Sequence, residues 1–141
     1  MLQNEFSRLG TTREKSSSAV PEEAAEFVID SERRMVVVRF RNRVTGADIA
    51  DYVKRMACHP RFEPSFSEIV DLTGVKDLDL NADDFLRLAD QIDPFLADAK
   101  RAFVVRTSVQ NHAARMHRIL RVHRNIEIFR SFEEAEEWLG L

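Results

Sequence analysis

Apolar residues along the chain fall into short runs of two different periods, and the alternation between those periods predicts the elements. "EFVID" (26–30) and "MVVVRFRN" (35–42) are rich in β-branched and aromatic side chains and flank the polar turn "SERR", which reads as a hairpin. Val36 to Phe40 is the expected buried strand. From Thr45 the period changes. Ile49, Tyr52, Val53 and Met56 recur at helical spacing, and Thr45 with Asp48 has the form of a capping box. His59-Pro60 stops that helix, and "SEIVDL" (67–72) returns to a short strand that runs out into a turn at "TGVKDLD". Asn81 is placed to cap "ADDFLRLADQI", where Phe85, Leu88, Ala89 and Ile92 make one apolar stripe. Asp93-Pro94 interrupts this pattern, because a residue before proline avoids helical geometry. "RAFVV" (101–105) is a further strand, and Ser108 caps a helix to about His123 with Met116, Ile119 and Leu120 as its apolar face. "IEIF" (126–129) is the last strand, followed by a terminal helix over "SFEEAEEWLGL", where Ser131 and Glu134 form a capping box.

The resulting order, β-β-α-β-α-β-α-β-α, predicts a single-domain α/β protein with a mixed sheet: an antiparallel opening hairpin, then parallel strands joined through helices. Residues 1–20 are Ser-rich and aperiodic and are expected to form a flexible tail, with the domain spanning 21–141. A chain of 141 residues buries roughly 65–70% of its unfolded surface and needs no staple. No apolar run approaches the ~18 residues of a membrane span, and the start lacks the basic and apolar regions of a secretory signal. Cys58, the single cysteine, reads as a buried or half-buried thiol, rules out an internal disulfide and points to a cytoplasmic protein.

The net charge of -3 favours neither nucleic acid nor a membrane surface, but its distribution is uneven. Between Glu63 and Asp98 stand ten acidic residues against Lys76 and Arg87, whereas Lys100 to Arg130 carries eight Lys and Arg against Glu127. Either the second stretch is a basic surface for an anionic partner, or the two stretches complement each other within or between subunits. Arg115, Arg118, Arg121 and Arg124 form a stripe without interleaved aromatic residues to stack bases, so they read as solvated and nucleic acid is not expected.

Most candidate chemistry fails on spacing. Asp77-x-Asp79-x-Asn81-x-Asp83 opens like a calcium loop, but Ala82 replaces the glycine of its sharp turn and Leu88 its final glutamate. His112, His117 and His123 do not converge on one helix face; His112 and His123 are expected to flank the core and His117 to face solvent. Cys58-His59 diverge at a helix end and have no third group to orient them. No metal, cofactor or catalytic residue is expected. What remains is topological. In an open α/β sheet, ligands favour the carboxyl ends of parallel strands, where helix starts present unpaired N–H groups. Asp71 and Thr73, Arg106 with Thr107 and Ser108, and Arg130 with Ser131 occupy those turns and suit an anion.

The order and one local pattern together resemble the STAS/SpoIIAA-like superfamily, which includes anti-sigma factor antagonists and the cytosolic ends of sulfate-type anion transporters. Asp71-Leu72-Thr73-Gly74-Val75 matches the first half of the family's hallmark segment, and Asp79 its later acidic position. Leu80, Asn81 and Ala82 stand where the family has two serines and a glycine. Small bacterial SpoIIAA-like proteins of STAS/SEC14 type look more similar still. The resemblance implies a non-enzymatic regulatory binding domain, with a partner of the kinase or sigma-factor regulator type and association as a homodimer. It also implies that the phosphorylation switch of the family has lost its serine here. Asp71, Thr73, Gly74, Asp79 and Asn81, with the two arginine-bearing turns, are the candidate binding residues. The alternative is a SEC14-like module for a small anionic or lipid-like ligand.

Overall fold

The structure, a computed structural model, describes residues 24–121 and 125–140. The expected tail over 1–20 and the side chains of His123 and Arg124 lie outside that range. The elements are β1 (Ala25–Asp30), β2 (Met35–Thr45), α1 (Gly46–Ala57), β3 (Ser67–Asp79), α2 (Ala82–Asp90), β4 (Arg101–Val104), α3 (Ser108–Leu120), β5 (Ile126–Phe129) and α4 (Phe132–Leu139). They build one five-stranded sheet in the order β1-β2-β3-β4-β5, antiparallel between β1 and β2 and parallel elsewhere. This is the mixed α/β architecture that the alternating periods predict.

Strand periodicity divides the core in two. Val36, Val38 and Phe40 of β2 join Val70, Leu72 and Phe103 beneath α1 and α3. Met35 and Val37 point the other way and meet Ile69, Ala102, Val104 and α4, whose Ala135 is fully buried against the sheet. The order of strands explains this division. Because β2 to β5 advance in one direction, crossovers of one hand all land on one face, so α1, α2 and α3 share it. After β5 no further strand is added, and α4 covers the opposite face.

Helix starts follow the sequence closely. Thr45 and Asp48 close a reciprocal capping box on α1, and Asn81 and Asp84 close one on α2. Ser131 accepts from the Glu134 backbone N–H, but the Glu134 carboxylate accepts from the Ser131 hydroxyl rather than returning to its backbone, so that box is half formed. On α3 the cap is Thr107, one residue earlier than expected, because Gln110 three residues on reciprocates; Ser108 is the first helical residue.

Several local expectations are corrected. Helix α2 ends at Asp90 with an extended Gln91, so Ile92 leaves the helical stripe and is 92% exposed. Helix α3 ends at Leu120 and is rotated relative to its apolar pattern. Gln110 and Ala114 are its buried residues, and His117 and Arg121 follow on that same face, while Ile119 is exposed. His117 therefore packs its ring against Phe103, with centroids 5.3 Å apart, and His112 faces solvent. Cys58 is the exposed C-cap of α1 rather than a buried thiol.

The largest difference concerns residues 73–79. They are not a turn: β3 continues to Asp79, paired with an equally extended β2. Register opens from Arg39↔Asp71 to Arg41↔Gly74, and again from Asn42↔Val75 to Arg43↔Asp77. Each irregularity inserts one extra residue into β3, and each flips its inward parity. Val70, Leu72, Val75 and Leu78 thus all reach the same cluster although their spacing is two, then three, then three. Asn42, with φ of 61°, absorbs the second irregularity in a left-handed conformation that asparagine tolerates. Gly74 lies at the first, where an added Cβ would stand 3.3 Å from both the Phe40 carbonyl oxygen and Arg41 Cβ. Gly74→Val is accordingly expected to destabilise the fold by about 1–3 kcal/mol through overpacking, read as a lowered urea midpoint at unchanged m-value.

Candidate functional site

The strand-end residues converge where the chain changes faces. The connections after β3 and β4 lead to α2 and α3, whereas the one after β5 leads to α4, so the backbone parts at the carboxyl ends of the strands. Arg39, Asp71, Thr73, Gly74, Arg130 and Ser131 line the resulting groove, with Val104 and Phe132 as its floor and end and a volume of about 340 Å³.

Asp71 organises this groove. It is 6% exposed and sits opposite Arg39, whose Nε donates to its Oδ2 at 3.2 Å. The Thr73 backbone N–H and hydroxyl both donate to Asp71 Oδ1, at 2.9 and 2.7 Å. Three donors on one carboxylate compensate its desolvation. Arg106 is exposed and donates from Nη2 to the Thr73 carbonyl at 2.8 Å. Arg130 stands exposed at the other rim, with no ion pair among the described residues.

Gln110 fixes the turn between β4 and α3, a role its sequence position did not suggest beyond the Thr-x-x-Gln capping spacing. Its Oε1 accepts from the backbone N–H of Arg106 at 2.8 Å and of Thr107 at 3.3 Å, and its Nε2 donates to the Val75 carbonyl at 2.9 Å. One buried amide thereby ties the start of α3 to the irregular stretch of β3. Thr107 and Ser108 are exposed on that turn and do not line the groove. Asp79 is also elsewhere, paired with Arg43 at the far end of β3, and Asn81 is committed to capping α2. The ten candidate residues thus separate into a groove set, a neighbouring turn and a distal pair. No group of three or more His, Cys, Asp or Glu suited to a metal occurs among the described residues.

On the opposite face lies a second polar assembly, inside the core. Glu68 is 2% exposed; Arg101 Nε donates to it at 2.9 Å and the Tyr52 hydroxyl at 2.6 Å. Arg101 Nη1 also donates to Asp93 at 2.8 Å. Burial depresses the Arg101 guanidinium, but the Glu68 and Asp93 carboxylates outweigh it and hold its pKa above the ordinary arginine value. Burial, and then the Glu68 charge, pushes the Tyr52 hydroxyl well above its usual range. Above this assembly α1, α2 and α3 leave an apolar pocket of about 90 Å³.

Comparison with known proteins addresses the fold. No family model matches the chain, and no curated protein matches it. Among solved structures, an uncharacterized protein of the DUF3478 family with a SpoIIAA-like fold, from Shewanella loihica, is similar over 86% of this chain and 98% of its own, with a TM-score of 0.59 and 17% identity. An anti-sigma factor antagonist from Mycobacterium paratuberculosis is similar over the same shares, with a TM-score of 0.52 and 11% identity. The chain has the SpoIIAA-like fold, as the hallmark segment implied. No helix among the described residues is long and apolar enough to cross a membrane.

Two measurements check the buried assembly. Arg101→Met strands two carboxylates and is expected to cost about 3–5 kcal/mol in urea unfolding at pH 7, with much of the loss recovered when Glu68→Gln is added. Tyr52 has its native pKa raised above the unfolded value of about 10, so its contribution is intact below pH 10 and lost as pH climbs beyond it. Wild type should therefore weaken more steeply than Tyr52→Phe between pH 9.5 and 11 on the scale of roughly one pH unit about that pKa.

Proposed function

We propose that this chain is a non-enzymatic regulatory binding domain that holds a protein partner, of the kinase or sigma-factor regulator type, through the rim of the strand-end groove. The observation that carries this reading is the division of labour among the arginines. Arg39 is committed to Asp71, whereas Arg106 and Arg130 present exposed guanidinium groups on either side of the groove with no carboxylate partner among the described residues. Acidic side chains of a partner find complementary charge there, and exposed arginines steer association as well as fixing register. The likeness to an anti-sigma factor antagonist supports a regulatory partner.

In this reading the association is constitutive with respect to the helix start that relatives phosphorylate. Asn81 there accepts from the Asp84 backbone N–H at 2.9 Å while the Asp84 carboxylate accepts from the Asn81 N–H at 2.9 Å, so the start of α2 is already closed by protein groups. The Thr73 hydroxyl donates to the Asp71 carboxylate, which Arg39 also engages. A phosphate on Thr73 would bring about -1.5 to -2 charge against Asp71 and remodel the groove instead.

The test compares the native partner recovered by wild type with that recovered by Arg130→Glu, Thr73→Glu and Asn81→Asp, all checked for native unfolding midpoints. The first two should lose recovery at least about tenfold, the scale of 1.4 kcal/mol, and Asn81→Asp should retain it. Recovery that is unchanged in Arg130→Glu and Thr73→Glu overturns the proposal.

A further inference from the structure

Helix α3 turns a polar side inward. It buries Gln110 and Ala114 and leaves Val109 61% and Ile119 69% exposed. Five large apolar side chains stand exposed among the described residues, and every one lies on α2, on α3 or in the connection after α2, so the outer surface of one helical layer holds them all. On α3 they belong to a stripe. Val109, His112, Met116 and Ile119 recur at spacings of three, four and three, which places them in one file about 15 Å long on a single side of the helix. His112 is exposed and Met116 partly so, and the file is open to solvent along its length. Its two flanks differ. Toward α2 stand Ala113 and Leu120, both half-buried, and Ala113 also walls the apolar pocket beneath. On the β5 side stand Arg115, exposed, and Arg118, whose contact with Glu127 is long at 3.9 Å. Nothing on the helix offsets these charges, because residues 108–120 contain no Asp or Glu.

We infer that the outer face of α3 is a docking site for an amphipathic helix of a protein partner, one that carries carboxylates beside its own apolar stripe. Spacing sets the shape. Alternation of three and four is the seam that a second helix buries, each apolar side chain entering a gap between residues of its neighbour. Ala113 adds no bulk at the flank and lets the two helices approach closely. Charge sets the partner. Glu or Asp at the edge of the incoming stripe meets Arg115, and such flanking pairs decide which helices associate and in which orientation. Two copies of α3 laid antiparallel would instead bring their Arg115 residues together with no carboxylate between them, which disfavours a second copy as the occupant. The inference does not rest on the groove, because Arg39, Asp71 and Arg130 line the opposite face of the sheet.

The experiment titrates a synthetic peptide of about three heptads, with Leu at the a and d positions and Glu at e and g, into the full chain and follows backbone amide shifts. A second peptide carries Lys in place of every Glu. Saturable shifts between Val109 and Leu120 are expected for the acidic peptide, with binding of the basic one weaker by at least about tenfold. Ile119→Asp should weaken the acidic peptide at least about tenfold, and Arg115→Glu should remove its advantage over the basic one; the second variant carries the test if the first unfolds. Arg130→Glu should change neither affinity, which separates this site from the groove. The proposal is overturned if the acidic peptide gives no saturable shifts, if its shifts map to Arg130 and Ser131, if the basic peptide binds as tightly, or if Arg115→Glu keeps the wild-type preference. It is also overturned if sedimentation shows a dimer that Ile119→Asp dissociates, since a second copy is then the occupant.

Discussion

Arg101 is the constraint on which the arrangement of the core depends. Glu68 projects from the start of β3 into an apolar face, where an unpaired carboxylate would cost several kcal/mol. Arg101 stands directly opposite it on β4, and the same guanidinium reaches Asp93 in the segment between α2 and β4. Tyr52 adds a donor from α1. A one-residue slip of β4 would move Arg101 to the face of Ile69 and Ala135 and strand the carboxylates. The contribution is thus to register more than to net stability, since a well-packed apolar substitute can match a buried ion pair in free energy. The oppositely charged stretches of the sequence meet at this guanidinium, within a single subunit.

The two faces of the sheet acquire different chemistry from the same strands. On the α4 side, alternate residues of β2 and β3 bring Arg39 and Asp71 together beneath an open groove; on the other, Glu68 faces an apolar pocket. Helix α3 serves both. Gln110 at its start secures the turn beside the groove, and Arg121 at its end closes over the pocket. This double duty accounts for its rotation, which buries a polar line of residues and leaves Val109 and Ile119 exposed.

Much of the fold was legible because most elements obey a single period and announce their starts. Thr45, Asn81 and Ser131 mark helices, and "MVVVRF" marks a buried strand. The two larger misreadings share a cause: a local rule was overridden by a contact distant in sequence. Residues 73–79 looked like a turn because irregular pairing with β2 breaks their alternation, and nothing within the segment reveals that pairing. The inner face of α3 was assigned from its apolar residues, but Gln110 finds the Val75 carbonyl and Arg121 the end of α2. The groove was legible in part. Asp71, Thr73, Gly74, Arg130 and Ser131 were predictable as strand-end residues, whereas Arg39 enters only through its cross-strand position opposite Asp71. The pocket was not legible at all, since its lining is assembled from β2, α1, β3, α2, β4 and α3 together with the connection between α2 and β4.

The two extra residues of β3 also bear on how the gene can vary. Each is the single residue by which β3 outruns β2 at its irregularity, so losing it would leave regular pairing in which Val75 and Leu78 keep their inward places and Asp77 and Asp79 their outward ones. A one-residue deletion at either place is therefore absorbed by the ladder itself, whereas a gain or loss elsewhere in the strand exchanges inside for outside unless one of these two places takes it up. The irregular stretch works as slack in the sheet, and the hallmark segment is where the length of the strand is freest to drift.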